Sequence, residues 1–134
     1  MAIKVSKAGT TPQRPPLQWE IWQVNQAASR AATNPPTPPD PYKIERPFII
    51  ISPNSYNSGG QEVVCLPISG EQFVKTFEVE LTPKLVGGLT KISYVKCFKP
   101  VTIDVKYLKE FRGNLSDPSK ISEIKETLKD FLEL

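Results

Sequence analysis

Residues 46–52 read Arg-Pro-Phe-Ile-Ile-Ile-Ser, a near-continuous apolar run in the first half of the chain. A run of this length that is rich in isoleucine is typical of a core strand buried on both of its faces. Pro47 has no backbone N–H to donate, so we expect it at the start of the strand. Residues 53–60 are rich in Pro, Asn, Ser and Gly, and they predict the turn that ends the strand.

Short strands are predicted on both sides of this run. Residues 19–24 combine aromatic and β-branched side chains, and residues 77–81 alternate apolar and polar side chains as a half-buried strand does. The other predicted strands cover residues 62–68 and 91–95, and residues 101–105 either extend the latter strand or form a strand that follows it. Four to six short strands separated by turn residues are typical of a small barrel.

The C-terminal segment has a different pattern. Asp117 and Pro118 predict a helix N-cap followed by a proline at the first helical position. Apolar residues then recur at helical spacing, at Ile121, Ile124, Leu128, Phe131 and Leu132. The predicted fold class is therefore α+β but mainly β, a small barrel covered by a C-terminal amphipathic helix.

Eight of the 14 prolines lie before residue 42. Residues 1–17 are predicted to be a flexible, proline-containing leader, and residues 33–41 a long extended surface loop. Between them, residues 25–32 are compatible with a helical turn. Too little sequence precedes the loop to make a domain, so we expect residues 18–134 to form a single domain.

The chain of 134 residues contains no histidine, which excludes Ser/His and Cys/His catalysis and every histidine-ligated metal site. Cys65 and Cys97 are too few for a structural zinc site, and we expect two buried, reduced thiols. The net charge of +3 is compatible with a polyanionic partner. Neither a membrane span of roughly 18 apolar residues nor a signal peptide is present, so we expect a cytoplasmic protein.

Five blocks of sequence carry a resemblance. They read Glu-Ile-Trp at 20–22, Arg-Pro-Phe-Ile-Ile-Ile-Ser-Pro at 46–53 with Tyr-Asn at 56–57, Val-Cys-Leu-Pro-Ile-Ser at 64–69, Phe-Glu-Val at 77–79, and Lys-Cys-Phe-Lys-Pro-Val-Thr-Ile-Asp at 96–104. In this order they resemble the PemK/MazF (Kid) family of toxin endoribonucleases from bacterial toxin–antitoxin pairs. The resemblance covers residues 19–134, and the first two blocks are its most specific parts.

The resemblance implies an SH3-like barrel of the PemK/CcdB type with a C-terminal helix, acting as a homodimer. It implies a toxin that cleaves single-stranded RNA, such as mRNA, at a specific sequence without a metal or other cofactor. Attack by the 2′-hydroxyl would leave a 2′,3′-cyclic phosphate and a 5′-hydroxyl. A cognate antitoxin protein would neutralise the enzyme.

Such cleavage needs a base for the 2′-hydroxyl, an acid for the leaving oxygen and a group that stabilises the charged phosphorane. The resemblance makes Arg46 the catalytic arginine, whose guanidinium grips a phosphate through two N–H groups. Ser69 stands where the family commonly has a threonine, and it keeps the hydroxyl. The alternatives are a strand-edge ion pair of Arg46 with Glu45 or Asp40, and an ordinary turn serine.

Glu20 matches an acidic position of the family and is a candidate base or ion-pair partner of the catalytic arginine. Trp19 stands before it, where family members usually have glycine. The candidate RNA-binding residues are Lys96, Phe98 and Lys99. Phe98 occupies the position of an acid found in some family members; its ring would either stack a base or pack in the core.

Two other functions are compatible with these residues. Because Phe98 replaces the acid, the barrel would bind RNA or a protein partner without cutting it. A gyrase poison similar to the CcdB toxins is the other alternative, since those toxins are thought to share this barrel. The Arg-Pro and Pro-Ile-Ser blocks favour the ribonuclease branch over the gyrase poisons.

Overall fold

The structure is a computed structural model, and it describes residues 14–25 and 45–134. The strands in these ranges are β1 (Glu20–Asn25), β2 (Glu45–Ile50), β3 (Glu62–Ser69), β4 (Glu78–Leu81), β5 (Ser93–Lys96), β6 (Val101–Asp104) and β7 (Leu108–Asn114). The helices are α1 (Asn54–Asn57) and α2 (Pro118–Leu132), and two 3-10 turns cover Lys75–Phe77 and Val105–Tyr107.

The strands form an antiparallel sheet in the order β4-β5-β3-β2-β1-β7, and β6 pairs with the first half of β3. The turn after β4 approaches β7 so closely that a Cβ atom on Gly88 would lie 1.5 Å from the carbonyl oxygen of Arg112. The sheet therefore curls until its two ends meet. This arrangement, with a C-terminal helix against the sheet, confirms the predicted fold class.

Strand β2 contributes side chains to two hydrophobic clusters, one on each face of the sheet. Ile49 belongs to the first cluster, and Phe48 and Ile50 belong to the second. All three are at most 2% exposed, which confirms the prediction that this strand is buried on both faces. The apolar run 46–52 thus joins the two halves of the core.

Helix α2 begins where the sequence predicts. The Asp117 carboxylate accepts a hydrogen bond of 3.0 Å from the backbone N–H of Lys120, and proline follows at the first helical position. Ile124 is fully buried in the first cluster, and Ile121 and Leu128 pack against that cluster. The helical spacing of these three residues is what lets one helix face cover the sheet.

Strand β7 was not among the predicted strands, so the prediction of four to six strands was too low. Its sequence, Leu-Lys-Glu-Phe-Arg-Gly-Asn, carries three charged residues and only two large apolar ones. Most of its side chains are exposed or half-buried, because β7 lies at one end of the sheet and pairs only with β1. A strand at the end of a sheet buries few side chains, so its sequence needs few apolar residues. The apolar pattern that predicts a strand is therefore missing from β7.

Trp19 precedes β1 with a φ of +73°, in the left-handed region that favours glycine. Its N–H donates to the Ile50 carbonyl at 2.7 Å, and its carbonyl accepts from the Leu115 N–H at 2.8 Å. This conformation supplies a physical reason for the glycine that the resemblance implies at this position. Here the half-buried indole packs against the first hydrophobic cluster.

Several predictions concern residues that the structure does not describe. The loop at 33–41, and all but the first residue of the helical turn at 25–32, lie outside the described ranges. Of the predicted leader, only residues 14–17 are described, and Arg14 forms an ion pair of 2.6 Å with Glu20. No helix in the described part of the chain is long and apolar enough to cross a membrane.

Both cysteines are buried free thiols, as predicted. Burial raises the pKa of the Cys97 thiol to about 12, with smaller contributions from the nearby Glu123 and Glu78 carboxylates. Burial also raises the pKa of Cys65 well above its usual value. Neither thiol is therefore present as the reactive thiolate at neutral pH.

Candidate functional site

A polar pocket opens where β2, β3 and β7 meet the segment that leads into β5. It encloses about 240 Å³ and is open to solvent. We call it the Arg46 pocket and define it by its polar lining residues, which are Gln23, Arg46, Ser69, Thr90, Lys91, Ser93 and Arg112. Arg46 and Ser69 are two of the three predicted catalytic residues, and the third, Glu20, does not line the pocket.

The register of β2 and β3 explains why these two residues come together. Phe48 pairs with Pro67, Ile49 with Leu66 and Ile50 with Cys65. The same antiparallel register, continued from Phe48 back by two residues on β2 and from Pro67 forward by two residues on β3, brings Arg46 opposite Ser69 on one face of the sheet. Their shared position in the lining of the pocket agrees with this register.

The connection between β2 and β3 holds this register through a buried polar cluster. The Ser52 hydroxyl donates to the Asn57 side-chain oxygen at 2.5 Å and accepts the Val64 N–H at 3.0 Å. The Asn57 amide donates back to the Ser52 carbonyl at 3.0 Å. Ser52 and Asn57, which belong to the second block, therefore act on the site through the backbone rather than by direct contact.

Three cations line the Arg46 pocket: Arg46, Lys91 and Arg112. The Arg112 guanidinium donates to the Gly88 carbonyl at 2.8 Å and 3.3 Å, so its position is fixed. The Lys91 side chain passes close to Gly70. A Cβ atom added to Gly70 would lie 2.5 Å from Lys91 Cε and 2.7 Å from Lys91 Nζ. Gly70 thus gives the Lys91 ammonium a close approach to the end of β3.

None of the described lining residues is an aspartate or a glutamate. Ser69 Oγ accepts a hydrogen bond of 3.2 Å from the Glu71 N–H, and its own hydrogen meets no acceptor among the described residues. Three guanidinium or ammonium groups and a hydroxyl donor make a site for an anion, and phosphate is the anion that bidentate arginine recognises best.

The structure does not bring Glu20 into this pocket. Its carboxylate receives hydrogen bonds from the Arg14 guanidinium at 2.6 Å and 3.0 Å, the Leu17 N–H at 2.8 Å and the Trp22 indole N–H at 3.1 Å. It is 5% exposed. The observed ion-pair partner is thus Arg14, and Glu20 fixes the entry into β1.

Lys96 is buried as well, and it does not line the pocket. Its ammonium donates to the Glu78 carboxylate at 2.8 Å and to the Glu71 carbonyl. The side chains of Lys96 and Glu78 are 5% and 0% exposed. Burial alone raises the pKa of Glu78, but the hydrogen bonds from Lys96 and the Val74 and Phe73 N–H groups outweigh it, so the pKa is lowered.

Phe98 and Lys99 lie in the turn between β5 and β6 and are not among the lining residues. Phe98 is half-buried, and the Lys99 ammonium lies 5.9 Å from the centre of its ring. The structure therefore brings together two of the six predicted site residues, Arg46 and Ser69, and separates the other four from them.

Sequence reasoning missed Lys91 and Arg112. Lys91 lies three residues after Gly88 and is the first residue of the predicted strand at 91–95, and this position was a usable signal. Arg112 lies on β7, the strand that the sequence pattern did not reveal. Only the closure of the sheet brings it next to Arg46. The described residues also contain no group of three or more Cys, Asp or Glu side chains placed to hold a metal ion.

The chain belongs to the PemK-like, MazF-like toxin family of type II toxin–antitoxin systems, since the family profile matches residues 17–132. This confirms the resemblance read from the five blocks. No curated protein is a significant match to the chain.

Solved structures of low sequence identity share the fold. An endoribonuclease in complex with its cognate antitoxin from a mycobacterial species is 20% identical with a TM-score of 0.66, covering 89% of this chain and 96% of the other. The toxin MazF-mt6 of Mycobacterium tuberculosis is 20% identical, with a TM-score of 0.66 and coverages of 86% and 97%. A MazE-MazF structure from Deinococcus radiodurans is 19% identical, with a TM-score of 0.61 and coverages of 98% and 99%.

Proposed function

We propose that this protein is a toxin that cuts single-stranded RNA at a specific sequence and acts in the cytoplasm as a homodimer. The observation that carries the proposal is the meeting of Arg46, Lys91 and the Ser69 hydroxyl in one solvent-open pocket. A cognate antitoxin protein is the proposed inhibitor, by analogy with the antitoxin complex of the mycobacterial endoribonuclease that shares the fold.

The proposed reaction is attack of the ribose 2′-hydroxyl on the adjacent phosphorus. The bond from phosphorus to the 5′-oxygen of the next nucleotide breaks, which leaves a 2′,3′-cyclic phosphate and a 5′-hydroxyl. The 2′-hydroxyl gives its proton to solvent in the open pocket, and the leaving 5′-oxygen takes one up from solvent. Negative charge builds up on the two non-bridging oxygens of the pentacoordinate phosphorane. Donors that are already in place stabilise that charge without reorganising, and this is commonly the largest single contribution to catalysis.

Three of the lining residues have a part in this proposal. The Arg46 guanidinium binds the phosphorane oxygens through two N–H groups, and the Lys91 ammonium supplies a second positive charge. The Ser69 hydroxyl donates to a phosphate oxygen and orients the scissile group. Glu20 is proposed to position β1 through its bonds to Arg14 and Trp22 rather than to move a proton.

Purified protein in EDTA, incubated with a long unstructured RNA, tests the proposal. We expect cuts at one short recurring sequence. The Arg46→Ala variant is expected to cut about 100-fold more slowly, and Ser69→Ala about tenfold more slowly, as for the loss of a charged and a neutral transition-state donor. Lys84→Ala, an exposed lysine outside the pocket, is the matched control and should cut normally.

A second candidate function is RNA binding without cutting. It is favoured by one observation, the lack of a carboxylate among the described lining residues of the pocket. RNA that stays intact in the same experiment, but binds more weakly to Arg46→Ala than to the unmodified protein, would establish binding alone. Intact RNA with no binding would reject both functions and lead to a gyrase assay.

A further inference from the structure

Phe73 is an exposed aromatic residue held on a rigid segment. Its side chain is 70% exposed, and it lies between Ser69, at the end of β3, and β4. An exposed phenylalanine is not unusual by itself. What distinguishes Phe73 is that buried charges hold its backbone in place.

The buried Lys96–Glu78 pair binds the backbone of residues 71–74 at three points. The Glu78 carboxylate accepts the N–H of Phe73 at 3.0 Å and the N–H of Val74 at 2.9 Å. The Lys96 ammonium donates to the Glu71 carbonyl. The backbone that carries the Phe73 ring is therefore anchored to β4 and β5, although the side chains of the segment are exposed.

A second aromatic residue, Tyr94, lies near the same Lys96 ammonium as Phe73 and is in register with Ser69 of the Arg46 pocket. Tyr94 pairs with Ser69 across β5 and β3, so the two side chains lie on the same face of the sheet. The Lys96 ammonium lies 4.7 Å from the centre of the Phe73 ring and 6.0 Å from the centre of the Tyr94 ring. Both rings thus surround one buried cation, one strand away from Ser69.

Three kinds of group follow one another across this face of the sheet. The Arg46 guanidinium comes first, the Ser69 hydroxyl second and the aromatic rings third. Neighbouring strands lie about 4.8 Å apart, so the Tyr94 backbone is one such step from Ser69 and two, about 10 Å, from Arg46. A phosphate held at Arg46 and Ser69 leaves the base of a flanking nucleotide within reach of the rings. Aromatic side chains bind unpaired bases by stacking, because every base offers a π-face.

We propose that Phe73 and Tyr94 form a nucleobase-stacking subsite for the nucleotide next to the scissile phosphate, with Lys96 and Glu78 as its positioning residues. This inference rests on the proposed function, because it takes the Arg46 pocket as the phosphate site. It assigns Lys96 to RNA recognition through the segment that it holds, without contact to RNA.

The test uses a short RNA that contains the mapped cleavage sequence, with single bases removed to leave an abasic ribose on either side of the cut. We expect one abasic position to lower kcat/KM of the unmodified protein about tenfold, in line with the loss of one stacked base. In Phe73→Ala the intact and abasic RNAs should be cut at equal rates. Tyr94→Phe should keep the difference, and Tyr94→Ala should reduce it.

Tyr56→Ala is the control, since Tyr56 is also an exposed aromatic residue but lies beyond the opposite end of β2 from Arg46. It should respond to the abasic position as the unmodified protein does. The inference is overturned if no abasic position slows the unmodified protein, or if Phe73→Ala and Tyr94→Ala keep the full difference.

An RNA that is never cut would contradict the proposed function, and a binding measurement then tests the subsite by itself. A single-stranded oligonucleotide that carries 2-aminopurine loses fluorescence when that base stacks. Quenching by the unmodified protein that disappears in Phe73→Ala but not in Tyr56→Ala would support the subsite. Equal quenching by both variants, or none with the unmodified protein, would reject it.

Discussion

The cationic side chains near the candidate site are of two kinds, exposed and buried. Arg46 and Lys91 are exposed in the pocket and form no ion pair within the described residues, whereas Lys96 is buried against Glu78. A buried charge without a partner is strongly unfavourable, so Lys96 cannot leave Glu78 to bind RNA. An exposed cation stays hydrated and can change its side-chain conformation to bind an anion.

Replacing Lys96 by alanine is expected to lower the free energy of unfolding by about 3–5 kcal/mol, because Glu78 then keeps a buried charge without its partner. Urea denaturation at pH 7 measures this. The control is Lys129→Ala, which removes an exposed ion pair of 3.9 Å with Glu126 and should cost less than about 1 kcal/mol. Equal losses for the two variants would contradict the account.

The lowered pKa of Glu78 predicts a loss of stability in acid. A carboxyl whose pKa is lower in the folded than in the unfolded chain stabilises fully above the unfolded value of about 4.3, and this stabilisation is lost as pH falls through the folded value. Urea denaturation at steps between pH 6 and pH 3 should show the decline. In Glu78→Gln the decline should be shallower, and an unchanged slope would contradict the prediction.

The elements of this fold act on the site through their spacing. Strand β7 carries Arg112 into the pocket only because the turn after β4 packs directly against it. Gly88 makes that contact possible, since any side chain there would meet the β7 backbone. The closure of the sheet and the third cation of the pocket therefore depend on the same glycine.

We expect Gly88→Ala to lower the free energy of unfolding by about 1–3 kcal/mol or more and to weaken RNA binding, because the new Cβ atom forces β7 away. Gly87→Ala is the matched control. A Cβ atom on Gly87 meets nothing within 4 Å, so this variant should keep both stability and binding within measurement error. Denaturation and a filter-binding assay, run on both variants, decide the matter.

The whole molecule carries a net charge of only +3, so attraction of RNA depends on where the cations lie rather than on their number. The Arg46 pocket concentrates three of them, Arg46, Lys91 and Arg112, at one opening. Both ends of the sheet contribute to it, which makes the pocket a property of the closed fold and of no single segment.

Salt dependence measures this concentration of charge. Three phosphate contacts release about two counterions in total from single-stranded RNA, so a plot of log affinity against log salt should have a slope of about −2 for one pocket. Lys91→Ala should make the slope less negative by about 0.7, and Lys84→Ala should leave it unchanged. Fluorescence anisotropy from 50 to 300 mM salt gives both values, and identical slopes would count against the pocket as the phosphate site.

The local elements of this protein follow from short-range patterns in its sequence. The run 46–52 is short, rich in β-branched isoleucine and followed by turn residues, which favours a buried strand, and Asp117-Pro118 before a helical repeat indicates the start of a helix. The five family blocks likewise single out Arg46 and Ser69 as candidate site residues, because both stand next to recognisable neighbours, and the structure places both in one pocket. Strand β7 escaped prediction, since an end strand needs no apolar run.

Only the tertiary structure determines which charged side chains line the pocket and which are paired elsewhere. Lys91, Lys96 and Lys99 have the same side chain and lie close together in the sequence, yet one lines the pocket, one is buried with Glu78 and one lies beside Phe98. Glu20 found Arg14, six residues before it, instead of Arg46. A side chain's partner and its exposure depend on strand register and on the closure of the sheet, and these are set by contacts between residues far apart in the chain.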